Sequence, residues 1–129
     1  MKNYKEAITT LNSVSVIGRL QGNPKEVEVG DKTKVVFYVV VDKDYDRTKY
    51  DAIRCGAWRQ TGDFIKKYFH KGDYIALNGR LSTWLKTVEN GNTETVMEVD
   101  VNNAYFTGYK KKEENYEAPI EDIQDLPFL

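Results

Sequence analysis

The sequence predicts an all-β fold, a small Greek-key barrel of about five strands with one α-helix between the third and fourth strands. Two observations lead to this prediction. Short stretches that alternate apolar and polar residues, or are apolar throughout, recur along the chain and are separated by glycine, asparagine and proline. One stretch only, residues 61–70, places its apolar residues at helical spacing. This order of elements is the one expected of an OB-fold.

The strand-like stretches are residues 11–20, 25–29, 35–41, 50–59, 74–87 and 95–101. The first ends at Gly22-Asn23-Pro24, which is a strong turn signal, and the short second stretch precedes the hairpin signal Gly30-Asp31-Lys32. The third, VVFYVVV, is apolar on both faces, as expected of a strand in a closed barrel.

The predicted helix, residues 61–70, carries one apolar stripe that is expected to face the core. The stripe consists of Phe64, Ile65, Tyr68 and Phe69. Thr61 or Asp63 is expected to cap the start of the helix, and Gly72 its end.

Two strands combine a cation and an indole on one face, because side chains alternate along a strand. In the fourth stretch, Arg54 and Trp58 share a face, with Gly56 leaving room between them for close approach, while Cys55 and Ala57 point the other way. A ring beside cations suits a nucleic acid, since the ring stacks on a base while the cations neutralise phosphates.

The same pattern recurs in residues 79–87. Arg80, Trp84 and Lys86 share one face, and the opposite face, with Leu81 and Leu85, is expected to enter the core. Each indole also has a plainer interpretation. Trp84 would then be a half-exposed ring on an ordinary amphipathic strand, and Trp58 a core residue.

Charge is distributed unevenly along the chain. The net charge is only −1, but all 19 basic residues precede Glu113, so residues 1–112 carry +5 and the remainder −6. We therefore predict a nucleic-acid-binding domain at residues 1–109 and a disordered acidic tail, with a short linker, at residues 110–129. An ordinary domain with a solvating tail is the alternative.

Several classes of function are disfavoured. The single cysteine, Cys55, rules out an intramolecular disulfide and a multi-cysteine metal site, and the Asp42-Asp44-Asp46 loop lacks the glycine and glutamate of a calcium-binding EF-hand. No phosphate-binding glycine loop or catalytic triad is apparent, so we predict neither an enzyme nor a cofactor. No apolar stretch suits a membrane span or a secretory signal, which indicates a cytoplasmic protein.

The chain resembles the bacterial and phage single-stranded DNA-binding protein family from about Leu11 to Phe106 and again at its C-terminus. The matching stretches are residues 11–14, 17–20, 23–24, 53–59, 68–73, 78–83 and 125–128. The resemblance implies base-stacking roles for Tyr45 and Trp58 and a basic role for Arg54. The family's aromatic residue on the strand at residues 79–87 would fall near Lys86. Trp84 lies two residues earlier, on the same face of that strand. Ala52 stands where the family often has a further aromatic.

The resemblance also implies a homotetramer and a C-terminal tip that recruits replication, recombination and repair proteins. The tip residues are Asp122, Asp125, Leu126, Pro127 and Phe128. Two features depart from the family: Leu129 follows the phenylalanine that usually ends the chain, and the linker, residues 110–119, is short. Both are compatible with a phage-encoded member.

The predicted function is sequence-tolerant coating of single-stranded DNA. Its phosphate contacts would come from Arg19, Arg54, Arg80 and Lys86, and its stacking rings from Tyr45, Trp58 and Trp84. The alternative from another class is an OB-fold adaptor that buries both indoles against a protein partner. RNA binding through the same surface also stays open, because the sequence shows no 2′-hydroxyl reader.

Overall fold

The structure, a computed structural model, describes residues 7–108. Within that range the chain forms six strands and one α-helix. In chain order they are β1 (Val14–Leu20), β2 (Lys25–Val29), β3 (Lys32–Lys43), β4 (Asp46–Trp58), α1 (Arg59–Tyr68), β5 (Tyr74–Thr87) and β6 (Thr93–Tyr105). A 3-10 turn, Glu89–Gly91, lies between β5 and β6. The predicted division at residue 109 and the acidic tail lie outside the described residues.

The strands close into a five-stranded barrel. Their order is β1-β5-β6-β4-β3-β2, and β1 also pairs with β3, with Arg19 opposite Val40. β1 and β2 therefore both lie along β3 as two halves of one barrel strand, interrupted at Gly22-Asn23-Pro24, where proline lacks an amide hydrogen. When β1 and β2 are counted as one barrel strand, α1 follows the third barrel strand, as predicted. The predicted OB-fold is confirmed.

The core fills the inside of the barrel with the alternate residues of each strand. Phe37 on β3, Cys55 on β4 and Ile75 on β5 are at most 2% exposed. Ile65 and Phe69, both from the predicted helical stripe, belong to this cluster and are at most 1% exposed. Burial raises the pKa of the Cys55 thiol to about 12, so the thiol stays protonated at neutral pH and behaves as a small apolar group.

The helix begins and ends earlier than predicted. It starts at Arg59 directly after β4, and Trp58 occupies the N-cap position without a side-chain capping bond, so Thr61 and Asp63 are not caps. Phe69, rather than Gly72, ends it. A tertiary contact favours this position of the helix, since Gly62 in its first turn packs closely on β3, where an added Cβ would lie 3.1 Å from a methyl group of Val35.

The prediction that Leu81 and Leu85 enter the core is wrong, because these side chains are 39% and 70% exposed. β1 pairs with β5 only as far as Gly79, and β4 meets β6 only at Val99 and Asp100. Beyond these pairs, β5 and β6 continue as a two-stranded arm that pairs with no other strand of residues 7–108. The face of the arm that carries Leu81 and Leu85 is therefore accessible to solvent.

Candidate nucleic-acid interface

The outward side chains of β3, β4, β5 and β6 form one continuous face. Side chains directly opposite each other in a sheet lie on the same side, so the register defines this face. On β3 and β4 the facing pairs are Lys34 with Trp58, Val36 with Gly56, and Tyr38 with Arg54. On β5 and β6 they are Arg80 with Asp100, Ser82 with Glu98, and Trp84 with Val96. Gly56 pairs with Asp100 and joins the two halves.

Trp58 and Trp84 both line an open groove of about 400 Å³ on this face. Trp84 is 37% exposed and Trp58 is half-buried, so neither is a fully buried core residue. The Lys34 ammonium lies 5.4 Å from the centroid of the Trp58 ring and 4.7 Å from that of Trp84. The Arg54 guanidinium lies 5.8 Å from the Trp84 centroid. These distances are within the range of cation–π attraction.

A buried carboxylate holds both cations of this groove. Glu98 is 4% exposed; its Oε1 accepts a hydrogen bond from Lys34 Nζ at 2.9 Å and its Oε2 accepts one from Arg54 Nε at 2.8 Å. The bond to Glu98 is the main cause that raises the pKa of Arg54, against an opposing effect of burial. The sequence predicted open space at Gly56, but Glu98 occupies that space. A Cβ added at Gly56 would overlap the Glu98 carboxylate.

A second depression of about 310 Å³ continues the groove, since Val27 and Arg54 line both. Tyr38 lies here, 40% exposed, with its hydroxyl oxygen 3.4 Å from Arg54 Nη1. Sequence reasoning missed Tyr38 because its neighbours are apolar on both sides. The available signal was the strand period, which places Tyr38 on the face opposite Phe37 and Val39.

Lys34 was also missed. It sits among charged and polar residues at the start of β3, where a lysine ordinarily reaches solvent, yet it is 6% exposed. Its partner Glu98 is 64 positions away in the chain, so no local pattern connects the two.

The structure brings three predicted site residues, Arg54, Trp58 and Trp84, into the groove. The other four predicted site residues line neither the groove nor the second depression. Arg19 pairs with Asp42 at 3.4 Å, Tyr45 is 77% exposed between β3 and β4, Arg80 is exposed opposite Asp100, and Lys86 lies on the arm opposite Glu94. The predicted tip residues, 122–128, lie outside the described residues.

Two other features of residues 7–108 bear on the class of site. No cluster of three or more histidine, cysteine, aspartate or glutamate side chains within them is placed to hold a metal ion. In the same range, no helix has the length and apolar character that a membrane span requires.

Residues 11–107 match the single-strand binding protein family, and the chain belongs to that family. A single-stranded DNA-binding protein of Malacoplasma penetrans is 29% identical over 90 residues, which cover 69% of this chain and 48% of the relative. One from Clostridium perfringens is 30% identical over 98 residues, 74% of this chain and 65% of the relative. Single-stranded DNA-binding protein 1 of Clostridium acetobutylicum is 26% identical, over 79% of this chain and 98% of the relative. The chain thus spans between about half and two thirds of the first two relatives.

Proposed function

We propose that the protein binds single-stranded DNA with little sequence preference. The observation that carries this proposal is the pairing of Trp58 and Trp84 with Arg54 in one open groove of an OB-fold face. Each stacked base contributes about 1–3 kcal/mol whatever its identity, because every base has a π-face. A paired base has no free face, so the groove favours single strands. The names of the three relatives agree with this function.

The cations around the groove supply the second part of the mechanism. Arg54 has guanidinium N–H groups beyond those bound to Glu98 and Tyr38, and these remain for a phosphate. Arg80 and Lys86, which lie opposite Asp100 and Glu94, offer further cations along the arm. Arg19 and Tyr45 would meet a strand that leaves the groove toward β1 and the β3–β4 loop. Each phosphate contact releases counterions, so binding weakens as salt rises.

Binding to fluorescently labelled oligo-dT, followed by anisotropy, tests this function directly. Duplex DNA and oligo-U of equal length are the competitors. We expect tight binding of oligo-dT, at least tenfold weaker binding of the duplex, and loss of affinity with salt. Oligo-U that competes as well as oligo-dT would assign the surface to single strands of either kind. No binding of any nucleic acid at low salt would contradict the proposal and favour the protein-adaptor alternative.

Tyr38 is proposed as a third stacking ring. Tyr38→Leu is expected to weaken oligo-dT binding by about 1–3 kcal/mol, because the ring is lost from the second depression. Tyr38→Phe keeps the ring and loses only the 3.4 Å contact of the hydroxyl with Arg54, so it is expected to bind nearly as the parent does. Equal affinities of the leucine and phenylalanine variants would remove Tyr38 from the binding surface.

The acidic tail is proposed to recruit replication, recombination and repair proteins through Asp122, Asp125, Leu126, Pro127 and Phe128.

The charge of this tail, −6, also opposes the +5 of the preceding residues, so the tail is expected to compete with DNA for the groove. Deleting residues 113–129 should then tighten oligo-dT binding at low salt and have less effect at high salt. An unchanged affinity at low salt would contradict this competition.

We further propose that the active form is a homotetramer in the bacterial cytoplasm, as the family resemblance implies. Light scattering in line with gel filtration would give the mass of the assembly, and a monomeric mass at micromolar concentration would contradict the tetramer. Cell fractionation would test the location. Catalysis forms no part of the proposed function.

A further inference from the structure

We propose that Lys34 is a positioning residue that fixes the two indoles as one preformed stacking platform, and that it makes no phosphate contact. This inference rests on the proposed function and adds a residue that acts through the rings rather than on DNA.

The first observation is where the Lys34 charge lies. The side chain is 8% exposed, and its ammonium is within 5.4 Å of the ring centroids of both Trp58 and Trp84. An ammonium has three N–H donors and no acceptor. One donor binds Glu98, and both neighbouring indole rings offer a negative π-face to the rest of the charge. One cation therefore attracts both rings at once.

The second observation is that the cation is itself held in place. Glu98 lies over Gly56, where no side chain could fit beneath it, and its second oxygen is occupied by Arg54. If Lys34 turned outward to a phosphate, it would leave this buried carboxylate with one partner fewer. Loss of a partner from a buried ion pair is strongly unfavourable, so Lys34 stays under the rings.

The charges of the groove consequently divide between two tasks. Lys34 is tied to Glu98 and to the rings, whereas Lys86 lies on the exposed arm and is available to phosphates. A preformed platform lowers the entropy cost of ordering the two rings when DNA binds. Removing the Lys34 charge should therefore lower affinity without changing the number of counterions released, because that number depends on phosphate contacts alone.

The test compares Lys34→Met, which keeps the length of the side chain and removes its charge, with Lys86→Met and Lys34→Arg. Oligo-dT affinity is measured by anisotropy over a salt series. We expect Lys34→Met to bind about tenfold more weakly at every salt concentration, with an unchanged slope of log K against log[salt]. Lys86→Met should instead lower that slope by about 0.7, the value for one phosphate contact on a single strand. Lys34→Arg, which keeps a cation able to lie against the rings, should bind within about threefold of the parent protein.

The near-ultraviolet circular dichroism of the free protein gives a second readout. The indole bands are expected to weaken in Lys34→Met, since the rings lose a fixed orientation, and to stay unchanged in Lys86→Met. An affinity equal to that of the parent protein, or a slope lowered as in Lys86→Met, would overturn the inference. If Lys34→Met fails to fold, the double variant Lys34→Met with Glu98→Gln removes the unpaired carboxylate and is compared with Glu98→Gln alone, so that the altered partner of Arg54 is common to both proteins. A parent protein that binds no DNA would refute the proposed function, whereas a parent that binds and a variant that matches it would refute only the role of Lys34.

Discussion

Replacing Trp58 and Trp84 together by leucine is expected to weaken oligo-dT binding by about 2–6 kcal/mol, which is at least about 30-fold. Leucine keeps an apolar side chain in the groove and removes the flat surface on which a base stacks. The fold should persist, because Trp84 is 37% exposed and Trp58 is half-buried. Anisotropy measures the affinity, and far-ultraviolet circular dichroism checks the fold.

Tyr68→Leu is the matched control for this double variant. Tyr68 is an aromatic side chain of similar exposure, 47%, but it lies on α1 against Phe64 and Phe106 and does not line the groove. Its replacement should leave the affinity for oligo-dT unchanged. If the double variant bound as tightly as Tyr68→Leu, stacking on the two indoles would not be the source of affinity.

Glu98→Gln is expected to lower the free energy of unfolding by about 3–5 kcal/mol. The substitution keeps the shape of the side chain and leaves the ammonium of Lys34, which is 6% exposed, without its counterion. Urea denaturation measures the change, provided that the slope of the unfolding free energy against urea stays constant.

The matched control is Glu26→Gln, which removes a carboxylate from an exposed ion pair. Glu26 accepts a hydrogen bond from Lys66 Nζ at 2.6 Å, but both side chains are about half exposed. Water screens such pairs, so the control should change stability by less than about 1 kcal/mol. Equal effects of the two substitutions would show that burial does not distinguish the pairs. Adding Lys34→Met to Glu98→Gln should restore part of the loss, since the more buried of the two cations that Glu98 held is then gone and only Arg54, which is 30% exposed, lacks its carboxylate.

Strand periodicity predicted which side chains of β4 share a face, because alternation along a strand is a local property. Alternation in β4 placed Arg54 and Trp58 outside and Cys55 and Ala57 inside, and the structure confirms both faces. The fold class followed from the same pattern together with the single helical stretch.

Features that depend on distant parts of the chain were not predictable in this way. Leu81 and Leu85 have the alternation of a core strand, but their exposure depends on where β1 stops pairing with β5. The position of the helix start involves the close packing of Gly62 on Val35, which lies on β3. Lys34 has the local sequence of a solvated residue and is buried only because Glu98, on β6, lies beside it.

The most direct test of the central claim is a titration of tryptophan fluorescence with oligo-dT, at low and at high salt, alongside duplex DNA of equal length. Trp58 and Trp84 are the only tryptophans in the chain, so the emission reports on the two rings of the groove and on nothing else. Stacked indoles should show strong quenching by the single strand, weaker quenching at high salt and none with the duplex. Emission that oligo-dT leaves unchanged at low salt would contradict the account.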